Sequence, residues 1–100
     1  MRNLSIILLN LWSTAVIAAV PLVAVDVGHG LKDGGAISAR GRAEFEFNRD
    51  FAGVLAETLS QRDLAVLPVN FDGQIASLAA RPAAANGSDF FISIHHDSIG

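Results

Sequence analysis

Apolar residues in this chain fall into two periodicities, and the changes between them mark the elements. Leu22 to Val27, Leu64 to Val69 and Phe90 to Ile94 are short, nearly continuous apolar runs. Runs of this length, bounded by Gly, Pro, Asn or Asp, predict strands buried on both faces. From Glu44 to Arg62 the period changes. Phe47, Phe51, Val54, Leu55, Thr58 and Leu59 recur at helical spacing, which predicts an amphipathic helix with Gly53 as a mild interior cost. Between the first strand and this helix lies a loop from Gly28 to Gly41, with five glycines in fourteen positions. Loops of that length are uncommon in compact domains unless they carry function. After the second strand, Phe71-Asp72-Gly73 predicts a turn, and Ile75 with Leu78 a short helical piece. Pro82 suits the first position of another helical turn, which Asn86-Gly87 ends. The order strand, helix, strand, helix, strand predicts an α/β fold, with a mostly parallel sheet flanked by helices.

The first twenty positions follow neither pattern. Arg2 precedes an apolar stretch from Leu4 to Leu9 that continues with interruptions to Val20, and Ala15, Ala18 and Ala19 close it. A basic start, an apolar middle and a small-residue exit describe a secretory signal peptide, with Val16-Ile17-Ala18 offering the cleavage site. The leader is placed at residues 1–19 and the folded domain at residues 20–100. An uncleaved membrane anchor is the alternative, although the stretch is short for a span and lacks a basic stop beyond it. Removal leaves about 80 residues, a small basis for an α/β core. No cysteine is present to staple it. The formal charge of −3 becomes −4 without Arg2, so no basic surface argues for nucleic acid.

Two of the strands stop at histidines: Val27-Gly28-His29 and Ile94-His95-His96. In an open parallel sheet the carboxyl ends of the strands form the ligand-binding rim. Two parallel strands bring His29 and His95 together there, and neutral imidazoles at one rim hold a metal ion, most commonly zinc. A catalytic zinc needs a third protein ligand, and Glu44 and Glu46 are the nearest carboxylates along the chain. Glu44 shares its helix face with Phe47, Asn48, Phe51 and Leu55, the side predicted to be buried. Glu46 shares its face with Asp50, Gly53 and Glu57, the side predicted to face solvent. An inward carboxylate is costly unless a cation meets it, so Glu44 is the better ligand. Asp26 is a candidate for orienting His29 by a hydrogen bond behind the metal, or for closing a turn. Arg81 is expected to pair with a carboxylate and hold the loop before the third strand.

Asp26-Val27-Gly28-His29-Gly30, Asp33 with Gly35-Ala36, Glu44 with Asn48, Arg81 with Ala85-Asn86, and Ser93-Ile94-His95 together resemble the zinc-dependent N-acetylmuramoyl-L-alanine amidases. These are bacterial cell-wall hydrolases. The resemblance runs from about Leu22 to Asp97. It implies Zn2+ held by His29, Glu44 and His95, and peptidoglycan as substrate. The bond cut would be the amide between the lactyl group of muramic acid and L-alanine of the stem peptide. It also implies a glutamate general base well downstream of the second histidine, beyond residue 100. The chain is accordingly expected to be the N-terminal part of a larger three-layer domain. Departures from the family pattern are Val27 in place of Pro, Leu31 in place of a second Gly, Val69-Asn70 in place of Thr-Arg, and His96 in place of a small residue.

Two other functions fit the same residues. One is a metal-dependent wall-binding or regulatory module without catalysis. The other is an exported zinc peptidase of different specificity, because ligands alone do not fix which amide is cut. An exported protein of this kind would work in the periplasm or in the cell wall and medium, in some cases with a protein activator.

Overall fold

Valines occupy every second position of the first strand, alternating with Leu22, Ala24 and Asp26, and the two faces meet different partners. The computed structural model describes residues 19–97. Apart from its last position, the expected signal peptide lies outside the described residues. The elements are β1 (Leu22–Val27), α1 (Glu44–Ser60), β2 (Ala65–Val69), α2 (Ala80–Ala84) and β3 (Phe90–Ile94). The sheet order is β2-β1-β3, and both pairings are parallel. The α/β class and element order follow the sequence reading. Because the strands are parallel, their carboxyl ends share one rim, with Asp26 level with Val69 and Val27 level with Ile94.

Val23, Val25 and Val27 point from β1 toward α1 and pack with Phe45 and Ala52. Leu55, Leu59, Val66, Phe71 and Ile94 back this cluster. Fully burying each such valine contributes about 1.5–3 kcal/mol, so this face supplies most of the core. On the opposite face Ala24 packs with Val69 and Ala85, backed by Leu67 and Ile75. Ala24 and Ala85 are small, and from α2 the Arg81 side chain reaches Asp26 on β1.

The glycine-rich loop caps the long helix. Ala43 offers no side-chain cap, so backbone carbonyls take its place. Glu44 N–H donates to Ala36 O at 2.7 Å and Phe45 N–H to Gly34 O at 2.9 Å. Two of the orphan donors of the first turn are thereby satisfied, and the loop is fixed to the helix that carries Glu44.

Five expectations need correction. The long helix stops at Ser60 rather than Arg62. Asp63 at φ 62° turns the chain into β2, a conformation Asp tolerates better than most residues. No helical piece forms around Ile75 and Leu78. Ile75 N–H donates to Asn70 Oδ1 and Ile75 O accepts from Arg81, so side chains have replaced the helical partners. Pro82 is the third residue of α2 rather than the first, still within the turn whose N–H groups lack helical partners. The buried stripe of α1 is also rotated. Glu44, Phe45, Asn48 and Ala52 are buried, whereas Phe51 and Val54 are exposed. Phe47 and Phe51 lie beside the ring of His96 instead, at centroid distances of 6.0 and 6.1 Å. Nor are all the strands buried on both faces: among the described strands β3 pairs only with β1, and it leaves Phe90, Phe91 and Ile92 exposed.

Candidate metal centre

His29 follows β1, His95 follows β3, and Glu44 opens α1. All three side chains meet at the carboxyl rim of the sheet. His29 Nε2 stands 3.2 Å and His95 Nδ1 3.3 Å from Glu44 Oε2. The three donor atoms lie within 4.8 Å of one another. The rings of His29 and His95 are edge to face, with centroids 5.1 Å apart. Ligand atoms around a tetrahedral zinc, each about 2.0–2.1 Å from the metal, stand about 3.3 Å apart. The two nitrogen–oxygen distances match that edge. Two imidazoles and a carboxylate are also a donor set zinc favours, and they leave a fourth position open. The residues present therefore fit a zinc ion. For both rings to bind through these nitrogens, the protons must sit on His29 Nδ1 and His95 Nε2.

Two glycines make room for the imidazoles. A Cβ on Gly28 would stand 2.5 Å from His95 Cε1 and 2.6 Å from Ile94 O. Gly35 has φ 78°, and a Cβ there would stand 2.7 Å from His29 Cδ2. The loop glycines at these positions are steric requirements of the cluster.

Glu44 is almost fully buried, and its carboxylate is surrounded by donors. Oε2 accepts from Asn48 Nδ2 at 3.2 Å and from the His96 backbone N–H at 3.1 Å; Oε1 accepts from Ala36 N–H at 3.3 Å. Burial pushes its pKa up. Hydrogen bonds from Asn48, His96 and Ala36, with the attraction of His29, outweigh that and hold it below the usual glutamate value. Glu44 is thus ionised and aimed before any cation arrives. Glu46, the rejected carboxylate, is half exposed and lies 3.7 Å from Arg42.

Asp26 and Arg81 are both buried and form an ion pair, Nη1 to Oδ1 at 2.9 Å. Asp26 does not touch the His29 ring. Its other oxygen accepts from Ser93 Oγ at 2.6 Å, which ties β1 to β3. Arg81 does pair with a carboxylate, but the backbone it holds is that of Val27, His29 and Ile75 rather than the loop before β3. Asp33 forms a turn, accepting from Gly35 N–H. Sequence reasoning gave no role to two buried asparagines. Asn48 Nδ2 donates to Gly28 O as well as to Glu44, and its Oδ1 lies 2.7 Å from His96 Nδ1. Its position one helical turn after Glu44 was the available signal. Asn70 Nδ2 donates to the carbonyls of Val27 and His29, a role with no local sequence signal.

A cavity of about 570 Å3 opens on the α2 face of the sheet beside the two histidines. Leu31, Leu78 and Phe91 give it apolar walls, and Lys32, Asp33 and Gln74 add polar groups.

Residues 23–100 match the family described as N-acetylmuramoyl-L-alanine amidase. Among solved structures, the chain is similar to N-acetylmuramoyl-L-alanine amidase from Clostridium difficile 630, at 34% identity and a TM-score of 0.73, over 80% of this chain and 45% of that one. It is similar to the catalytic domain of CwlV, N-acetylmuramoyl-L-alanine amidase from Bacillus (Paenibacillus) polymyxa var. colistinus, at 33% identity and a TM-score of 0.73, over 80% of this chain and 47% of that one. It is also similar to N-acetylmuramoyl-L-alanine amidase AmiC2 of Nostoc punctiforme, at 28% identity and a TM-score of 0.73, over 79% and 45% of the two chains. A comparison with curated proteins gives no match. The match spans less than half the length of these three solved structures. The chain belongs to the N-acetylmuramoyl-L-alanine amidase family.

Proposed function

We propose that this chain carries the metal-binding half of a zinc-dependent peptidoglycan amidase, with His29, Glu44 and His95 as the ligands. The observation that carries the reading is the meeting of these three donors on the carboxyl rim, within 4.8 Å of one another and with both nitrogen–oxygen distances close to a zinc edge. Zinc bound there supplies Lewis acidity, which polarises a scissile carbonyl and lowers the pKa of a water. The chain's own residues do the rest of what is described. Asn48 and the backbone of Ala36 and His96 hold the Glu44 carboxylate. The cavity beside His29 and His95 receives the muramyl peptide next to the metal. Among the described residues, the Asp26 and Glu44 carboxylates are fully engaged by their partners and neither is free to take a proton from water. The family pattern places the general base, a glutamate, downstream of His95.

That engagement also favours the second reading, a metal-binding wall module or regulator that does not catalyse. Product analysis separates the two. Purified full chain is incubated with muropeptides, and products are resolved by mass spectrometry. A free lactyl end and a free L-alanine amine support the amidase. Zinc binding with intact muropeptides supports the module, and cleavage within plain peptides supports a peptidase. Export of the chain is part of the proposal and rests on the Arg2, Leu4–Leu9 and Val16-Ile17-Ala18 pattern.

A further inference from the structure

His29 has a backbone conformation that histidine seldom adopts. Its φ is 64°, in the left-handed region, which costs a residue with a Cβ about 1–2 kcal/mol. Such conformations persist only where the surroundings over-determine them. Here the surroundings are two side chains from separate segments. Asn70, just past β2, donates from Nδ2 to Val27 O and His29 O, both at 2.6 Å. Arg81, on α2, donates to the same two carbonyls, from Nη1 to Val27 O at 2.6 Å and from Nη2 to His29 O at 2.7 Å. The carbonyl between them, Gly28 O, accepts from Asn48. All three consecutive carbonyls are therefore held by side chains.

The grip is itself anchored. Asn70 Oδ1 accepts from Ile75 N–H, and Asp26 holds the Arg81 guanidinium. Asn70, Arg81 and Asp26 are all buried. Asn70 also has a positive φ, 60°, one that Asn tolerates better than most residues. The conformation matters because it aims the ring. An ordinary negative φ at His29 would swing its Cβ by about 120° or more around the N–Cα bond. Nε2 would then leave Glu44 and His95.

We infer that Asn70 is a positioning residue for the metal centre: with Arg81 it grips the Val27 and His29 carbonyls and locks His29 in the left-handed conformation that points its ring at Glu44. The metal part of this inference rests on the zinc reading above; the backbone part does not.

The test uses Asn70→Gly in the full chain. Glycine accepts a φ of 60° without strain, so only the amide is lost. Two quantities are read: the one-bond Cα–Hα coupling of His29 in metal-free protein, which reports the sign of φ, and the zinc dissociation constant. Wild type should show a positive φ. Asn70→Gly should shift His29 toward negative φ and weaken zinc binding about 10–100-fold, as loss of a residue orienting a ligand does. Val66→Ala, a destabilising change on the α1 face, should move neither. If Asn70→Gly does not fold, Asn70→Ser replaces it, since a single hydroxyl on a shorter side chain cannot donate to both carbonyls. An unchanged His29 coupling in the folded variant overturns the grip. A changed coupling, in a protein whose wild type binds no zinc, supports the grip and rejects the zinc reading separately.

Discussion

Replacing Asn48 by Ala should cost this domain much of its metal-free stability. The side chain uses all of its hydrogen-bonding groups, on Gly28 O, Glu44 Oε2 and His96 Nδ1. The bond to the ionised Glu44 contributes about 1.5–3 kcal/mol, and leaving the buried Gly28 carbonyl unpaired costs about 1–3 kcal/mol. His96 is exposed and can turn to water, so its bond adds little. The expected loss is about 3–5 kcal/mol. Whole-domain stabilities are about 5–15 kcal/mol, so a loss of this size is a large fraction of the total. Urea unfolding followed by circular dichroism, with a chelator present, measures the loss. Zinc affinity should also fall about 10–100-fold, because Glu44 is no longer aimed. A loss under about 1 kcal/mol, together with zinc affinity within about twofold of wild type, would refute the claim that Asn48 holds the carboxylate.

Glu46→Ala should leave zinc affinity unchanged, since its side chain is half exposed and meets only Arg42; a large loss in a zinc titration would mean that the wrong carboxylate has been assigned. Acid should weaken the metal-free protein through Glu44, whose folded pKa is held below its unfolded value. Its contribution is full above about pH 4.3 and disappears as pH falls through the depressed value. Wild type should therefore lose more stability toward low pH than Glu44→Gln, and parallel profiles would count against the carboxylate's hydrogen bonds. Gly28→Ala should cost about 1–3 kcal/mol by forcing a Cβ against His95 and Ile94. Gly53→Ala, with open space around it, should gain up to about 1 kcal/mol in thermal unfolding.

The strands and the two histidines were legible because short, continuous apolar runs stop at polar residues where each strand ends, although only β1 is buried on both faces. That Glu44 is buried while Glu46 is half exposed was also legible, since two residues along a helix is enough to change its face. What local pattern could not supply was which residues of the helix meet the sheet. Phe51 fits the apolar stripe by spacing, yet it is exposed beside His96, while Phe45 takes the core position. The grip on His29 was illegible in a different way. Asn70 and Arg81 lie 41 and 52 positions from His29, and only the parallel crossovers bring them to its carbonyl. Arg81 was read correctly as a partner of a carboxylate, but its hold on the His29 backbone needs the three-dimensional placement of α2 over Asp26.

The most direct test of the account is the zinc content of the folded full chain, measured beside its His29→Ala, Glu44→Ala and His95→Ala variants after dialysis against trace zinc. One zinc per wild-type chain, lost in each variant while circular dichroism shows the fold retained, is the predicted result. A folded wild type without zinc, or stoichiometric zinc retained in the variants, would contradict it.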